Sequence, residues 1–184
     1  MSTLFVNNLN TATGSTITVP TGKKLIVTDS ASIVAPEQII QTTQKANSAA
    51  HSNSSPGNWA DTNYQHSITP VYSNSLVELT FNIPFRLNGT PTYLRGAIRI
   101  YRDISGGAST LVVNSISRFE MFQVRNASNE HDNIANFIYR DNPATTSAVT
   151  YRAQSYIHND SGAGYFQTWD ANIGGNIILK EIAQ

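Results

Sequence analysis

The stretch LVELTFNIPF, residues 76–85, alternates without a break. Val77, Leu79, Phe81, Ile83 and Phe85 point one way, and Glu78, Thr80 and Asn82 point the other. A period of two over ten residues predicts a strand with one face in a core and the other in water. Residues 94–101 repeat the pattern, with Leu94, Gly96, Ile98 and Ile100 set against Arg95, Ala97, Arg99 and Tyr101. Between the two runs stands Asn88-Gly89, a strong turn signal, and Pro91 makes the connection longer than a two-residue hairpin. Further strands are expected at residues 111–114, 119–124, 149–158, 165–169 and 176–182. No segment carries an amphipathic helix of three turns or more. Many antiparallel strands with apolar faces to cover predict an all-β sandwich or jelly roll.

The run GGNIILKEIAQ, residues 174–184, breaks the alternation. Ile177, Ile178, Leu179 and Ile182 put apolar side chains on both faces of an extended segment, which predicts burial on both sides. Cover has to come from this chain or from another copy of it. These four residues are the expected subunit interface. Residues 45–62, KANSAAHSNSSPGNWADT, are small, polar and broken by Pro56-Gly57, and read as a long surface loop.

A chain of 184 residues suffices for one core, or for one domain with a short appendage. Its formal net charge is zero, so no global field draws it to nucleic acid or to anionic lipid. Asn, Ser and Thr are abundant, which suits turns and strand faces and suits helices poorly. Cysteine is absent, which removes disulfides, thiolate nucleophiles and sulfur-ligated metals together. MSTLFVNNLN lacks the basic-then-apolar pattern of a signal peptide, and no apolar run is long enough to span a membrane.

Residues 1–36 differ from the rest. Short apolar pairs, Leu4/Val6, Ile17/Val19 and Leu25/Val27, alternate with turn material such as Thr13-Gly14-Ser15. Strands this short cannot make a core alone. The segment is expected to be a β-rich anchor or stalk that orders against other chains, with a flexible arm as the alternative reading. Residues 37–184 are then the sandwich domain.

The leader STLFVNNLNTATGSTITVPTGKKLIVTD resembles that of structural proteins from tailed bacteriophages of marine bacteria, cyanobacteria and their neighbours among them. Gln38-Ile39-Ile40-Gln41, Ser67-Ile68-Thr69-Pro70, Arg99-Ile100-Tyr101-Arg102-Asp103, DNPATTSAVTYRAQSY and the closing NIILKEI are similar to successive landmarks of a fibre-tip domain. The resemblance spans nearly the whole chain. It implies a jelly roll of the C1q and tumour-necrosis-factor type, assembled as a homotrimer on a virion, with the last strand near the subunit contacts.

Candidate chemistry is sparse. Gly22-Lys23 lacks the spacing of a phosphate loop, and Lys24 stands where a magnesium-binding hydroxyl belongs. His51, His66, His131 and His158 share no metal-ligand spacing. NASNEHDN, residues 126–133, offers the oxygens of Asn126, Ser128, Glu130 and Asp132, yet lacks the glycine of a calcium loop and reads better as a hydrated turn. All eight arginines fall between Arg86 and Arg152, where Glu78, Asp103 and Glu120 could pair with them across strands. Trp59, Tyr64 and Trp169 lie in or beside Asn/Asp-bearing loops. With His131 they are the candidate receptor-binding set, since sugars stack on aromatic rings and give hydroxyls to neighbouring amides and carboxylates. The competing reading has the rings cover sandwich ends or subunit seams.

Three functions remain. The leading one is a non-enzymatic virion protein assembled in the host bacterial cytoplasm, a trimeric fibre, spike or capsid-decoration module. Its partners are copies of itself, other virion proteins reached through Leu4, Val6, Ile17, Val19, Leu25 and Val27, and host surface glycans, with neither nucleic acid nor membrane. The second is a glycan-binding module. The third is a polysaccharide-cleaving enzyme using paired carboxylates, for which Asp132 and Asp141 can be proposed. No cofactor, metal or catalytic residue is expected under the leading reading.

Overall fold

A computed structural model describes residue 21, residues 35–184 apart from 48, 90–92, 106, 115–121, 126–129, 160–163 and 169–174, and no others. The chain divides into two units, Met1–Ile33 and Val34–Gln184. Apart from residues 21, 35 and 36, the β-rich anchor expected over residues 1–36, with all six of its apolar anchor positions, lies outside the described residues.

Eleven strands are described: β1 (Ile39–Ala46), β2 (His51–Asn53), β3 (Trp59–Ile68), β4 (Leu76–Gly89), β5 (Tyr93–Ile104), β6 (Thr110–Asn114), β7 (Phe122–Arg125), β8 (His131–Asp141), β9 (Val149–Asn159), β10 (Gly164–Thr168) and β11 (Asn176–Ile182). They form two antiparallel sheets. In the first, β4 is long enough to take β11 along its residues 76–82 and β10 along residues 85–89 of the same edge. Its other edge pairs with β8, while β1 lies outside β11 and β2 outside β10. The second sheet runs β3-β9-β5, with β6 and β7 sharing the far edge of β5. The chain passes repeatedly from one sheet to the other, and β1 and β11 lie side by side. This is a jelly-roll sandwich.

The alternation in residues 76–85 is realised and extends further. Val77, Leu79, Phe81, Ile83, Phe85 and Leu87 are all buried, and they face Leu94, Ile98, Ile100, Tyr151, Ala153 and Ile157 of the second sheet. Phe85 stacks on Phe166 with ring centroids 5.0 Å apart, and meets Phe122 at 4.1 Å. Gly96 lies where this aromatic cluster leaves no room. A Cβ there would come within 2.7 Å of Phe166 and 2.8 Å of Leu87.

Two expectations need correction. Residues 45–62 are not one loop, because β1 runs to Ala46, β2 spans His51–Asn53 and β3 starts at Trp59. These polar segments become strands by pairing with β11, β10 and β9, a tertiary effect that local pattern does not carry. β11, in turn, is no sheet edge, since β1 and β4 pair with its two sides. Ile177, Leu179 and Ile182 are buried within the single chain, so Ile178 alone of the four presents surface to a second copy.

Next along the inward face of β11 is Glu181, wholly buried and charged. Its carboxylate accepts the backbone N–H of Val71 at 2.9 Å, that of Tyr72 at 3.0 Å and the Gln41 amide at 2.7 Å. Burial would raise its pKa, but these donors and the Ser75 hydroxyl together hold it below the usual carboxylate range. The latch ties residues 71–75 to the last strand. Because the folded pKa is depressed, the stabilisation is complete above the ordinary glutamate value of 4.5 and disappears as pH falls through the folded value.

Two outcomes follow for stability measurements by chemical denaturation. Gly96→Ala destabilises by about 1–3 kcal/mol through overpacking against Phe166 and Leu87. Glu181→Gln costs about 1.5–3 kcal/mol at neutral pH, the range for hydrogen bonds to a charged group. It also flattens the loss of stability that the unmodified chain shows in acid.

Candidate functional site

The two sheets leave two outward faces, and both carry organised chemistry. On the first sheet the outward residues of β11, β4 and β8 stand in register, so like positions form rungs across three strands. One rung is ionic. Glu78 accepts from Lys180 at 3.0 Å and from Arg140 at 3.1 Å, and Arg140 also lies 3.5 Å from Glu37. A second is an amide ladder in which Asn82 donates to Asn176 at 2.8 Å and accepts from Asn136 at 2.7 Å. Between them Thr80 is flanked by Ile178 and Ile138, and Pro84 stands opposite Ile134. Towards the far end Arg86 is clamped by Asp132 at 2.6 Å and by Glu130. Ile138 and Ile134 are 71% and 56% exposed in the single chain, whereas Ile178 is half-buried and Pro84 buried.

The second sheet's outward face is built differently. Trp59 of β3 meets Tyr156 of β9 at 5.1 Å between ring centroids. The Arg99 guanidinium lies 4.1 Å from the Trp59 centroid and 4.8 Å from that of Tyr101, and Arg152 covers Tyr101 at 5.1 Å. Gln154 accepts from Arg99 at 2.8 Å and donates to Asp61 at 2.7 Å. Arg152 pairs with Asp61 and, at 2.8 Å, with Asp103. Arg99 has no carboxylate within salt-bridge distance among the described residues, and desolvation lowers its pKa from the ordinary value. The result is a cation held between two rings and surrounded by amide and carboxylate groups.

The candidate receptor set does not converge. Trp59 is half-buried on the second sheet's outward face, whereas His131 is exposed at the start of β8 in the first sheet. Trp169 lies outside the described residues. Tyr64 cannot meet a receptor, because it is fully buried in the core with its hydroxyl against Gly175. Five residues from Trp59, it falls on the opposite, inward face of β3 by alternation alone. Sequence reasoning missed Arg99, Tyr101, Arg152 and Gln154 as companions of Trp59. Their outward positions on β5 and β9 were legible, but the lateral order β3-β9-β5 that joins them was not.

Asp132 and Asp141 sit at opposite ends of β8 and on opposite faces, about 30 Å apart at the rise of a strand, so they cannot flank one glycosidic bond. Asp141 is occupied by Arg102 and the Tyr151 hydroxyl, at 2.9 and 2.8 Å. Glu130 and Asp132 both bind Arg86 instead of standing ready for calcium. Among the described residues no cluster of three or more His, Asp or Glu could hold a metal.

No protein-family model matches the chain, and no curated protein matches it. Among solved structures, it is similar to that of infectious bursal disease virus Gx strain, with 10% identity and a TM-score of 0.43 over 88% of this chain and 42% of that one. A T13 particle of the same virus gives 10% identity and a TM-score of 0.43 over 88% of this chain and 40% of that one. Its VP2 subviral particle gives 10% and 0.41 over 87% and 42%. The chain thus spans about two fifths of the proteins it matches.

The two aromatic positions separate cleanly in a stability assay. Tyr64→Ala costs about 3–5 kcal/mol, as for other buried aromatic rings. Trp59→Ala, at a half-exposed position, leaves the melting transition close to that of the unmodified chain.

Proposed function

We propose that the protein is a non-enzymatic structural subunit of a bacteriophage virion, a homotrimeric fibre or spike module that assembles through the outward face of its first sheet. The observation that carries this reading is the pair of exposed isoleucines, Ile134 and Ile138, in line with Ile178 on a face otherwise organised into polar rungs. Large apolar side chains grouped on an ordered surface mark contact with another protein. The resemblance of the leader and of the closing NIILKEI to phage fibre proteins supports the virion setting and the threefold assembly. Capsid decoration is the alternative placement of the same module. Residues 1–36 are its anchor on the particle.

A second reading, compatible with the first, is recognition of host envelope glycans by the second sheet's outward face. Trp59, Tyr101 and Tyr156 supply rings, Gln154 and Asp61 supply hydrogen-bonding groups, and Arg99 supplies a cation suited to an acidic sugar. Assembly on one face and recognition on the opposite one divide the sandwich between two tasks.

Light scattering at micromolar concentration is expected to return three times the chain mass of 20.1 kDa, and a stable monomer would overturn the trimer. Ile178→Asp breaks the assembly, because a buried unpaired carboxylate is strongly unfavourable. Deleting residues 1–36 leaves a folded module that no longer loads onto particles, and normal copy number would place the attachment face on the sandwich instead. Trp59→Ala and Arg99→Ala retain the assembled mass but weaken adsorption to host cells. Unchanged adsorption removes the glycan reading.

A further inference from the structure

β8 is an edge strand of eleven residues that pairs with β4 alone among the described residues. Among the described residues nothing pairs with its other edge, whose backbone donors and acceptors are open to a further strand, and sheet edges are normally kept short, charged, bulged or covered. This one holds Ile134-Ala135-Asn136-Phe137-Ile138-Tyr139, with neither proline nor glycine, and Ile134, Ile138 and Tyr139 are exposed. Strand addition is the contact such an edge offers.

The sequence of the strand says what is added. About Asn136 it is complementary to its own reverse. An antiparallel copy centred there sets Asp132 opposite Arg140, Ile134 opposite Ile138 and Asn136 opposite Asn136, and on the other face His131 opposite Asp141 and Ala135 opposite Phe137. Every charged residue of the strand meets an opposite or titratable partner, and every exposed isoleucine meets an isoleucine.

The rungs of the sheet behind β8 continue the match. Lys180, Glu78 and Arg140 alternate in sign, and the copy's Asp132 and Arg86 would extend the alternation. The amide ladder Asn176-Asn82-Asn136 would join its symmetry mate at the centre. A register slipped by one residue would turn one isoleucine set to the opposite face. A slip by two would leave the charges misaligned, so the pairing is specified as well as permitted.

We infer that two copies of the chain join edge to edge through β8, antiparallel and centred on Asn136, making the first sheet continuous across a twofold axis. The contact is isologous, each copy giving and receiving the same surface. It does not rest on the threefold reading. It uses the β8 edge and leaves Ile178, two strands away on β11, for other contacts. A module with both contacts would be linked from trimer to trimer.

The absence of native cysteine makes the test clean. Asn136→Cys in the full chain, oxidised mildly, is expected to become a disulfide-linked dimer, since directly opposed antiparallel residues lie within disulfide reach. Ile134→Cys alone stays unlinked, but mixed with Ile138→Cys it gives the heterodimer. Circular dichroism confirms that each variant is folded. A folded Asn136→Cys chain that remains a free thiol overturns the inference. So does equal cross-linking of Ile134→Cys to itself, which would mean unregistered edge aggregation. Trimer mass without cross-linking would sink this proposal while leaving the threefold one intact.

Discussion

The structure depends on backbone pairing along both edges of β4. This one strand of fourteen residues meets β11 and β10 in succession on one side and β8 on the other. Its six buried side chains supply the first sheet's largest share of the core, while Glu78, Asn82 and Arg86 organise the outward rungs. Burial holds the inner face by apolar area alone, a strong but undirected term. The outer face adds little stability, since exposed ion pairs contribute up to about 1 kcal/mol each. Its effect is on register. Glu78 facing Lys180 and Arg140, and Asn82 facing Asn176 and Asn136, fit one alignment of three strands and oppose slips.

The sandwich was legible in the sequence where a strand has one wet face and one dry one. β4, β5 and β9 announce themselves by alternation because each lies in the interior of its sheet. β8 has no such signature. As an edge strand it is exposed over most of its length on both faces, so its pattern reads as a polar turn entering a mixed segment. β2 and the start of β3 are polar and short, and only partners distant in sequence make them extended. Of the candidate site, Trp59 was recognisable as an aromatic ring in polar company. Tyr64 looked equivalent because it is flanked by Asn63 and Gln65, yet it stands five residues from Trp59, and alternation along β3 puts it on the inward face. The polar neighbours on either side belong to the outward face and hid that parity.

The outward faces obey different rules. The first sheet's face places amide beside amide across strands and sets opposite charges together within its rungs. The second sheet's face interleaves unlike groups, ring with guanidinium and guanidinium with carboxylate, and among the described residues gives Arg99 no carboxylate in direct salt-bridge contact. Balanced rungs can be extended by another strand of the same kind. A cation held between rings without a directly paired carboxylate instead gains from a ligand that brings one.

The adjacency of β1 and β11 has a mechanical consequence. Ile39 lies opposite Ile182, and Glu37 and Gln38 exchange backbone hydrogen bonds with Ala183 at 2.9 Å. The points where the chain enters and leaves the sandwich are therefore neighbours at one end of a single antiparallel ladder. Tension drawing them apart acts across the ladder instead of along it, so the bonds open one after another from Ile39 inward. Tension applied between residues 37–38 and a distant surface of the sandwich would not address that ladder in sequence. A sandwich held by its first strand is thus protected as long as its last strand is left unpulled.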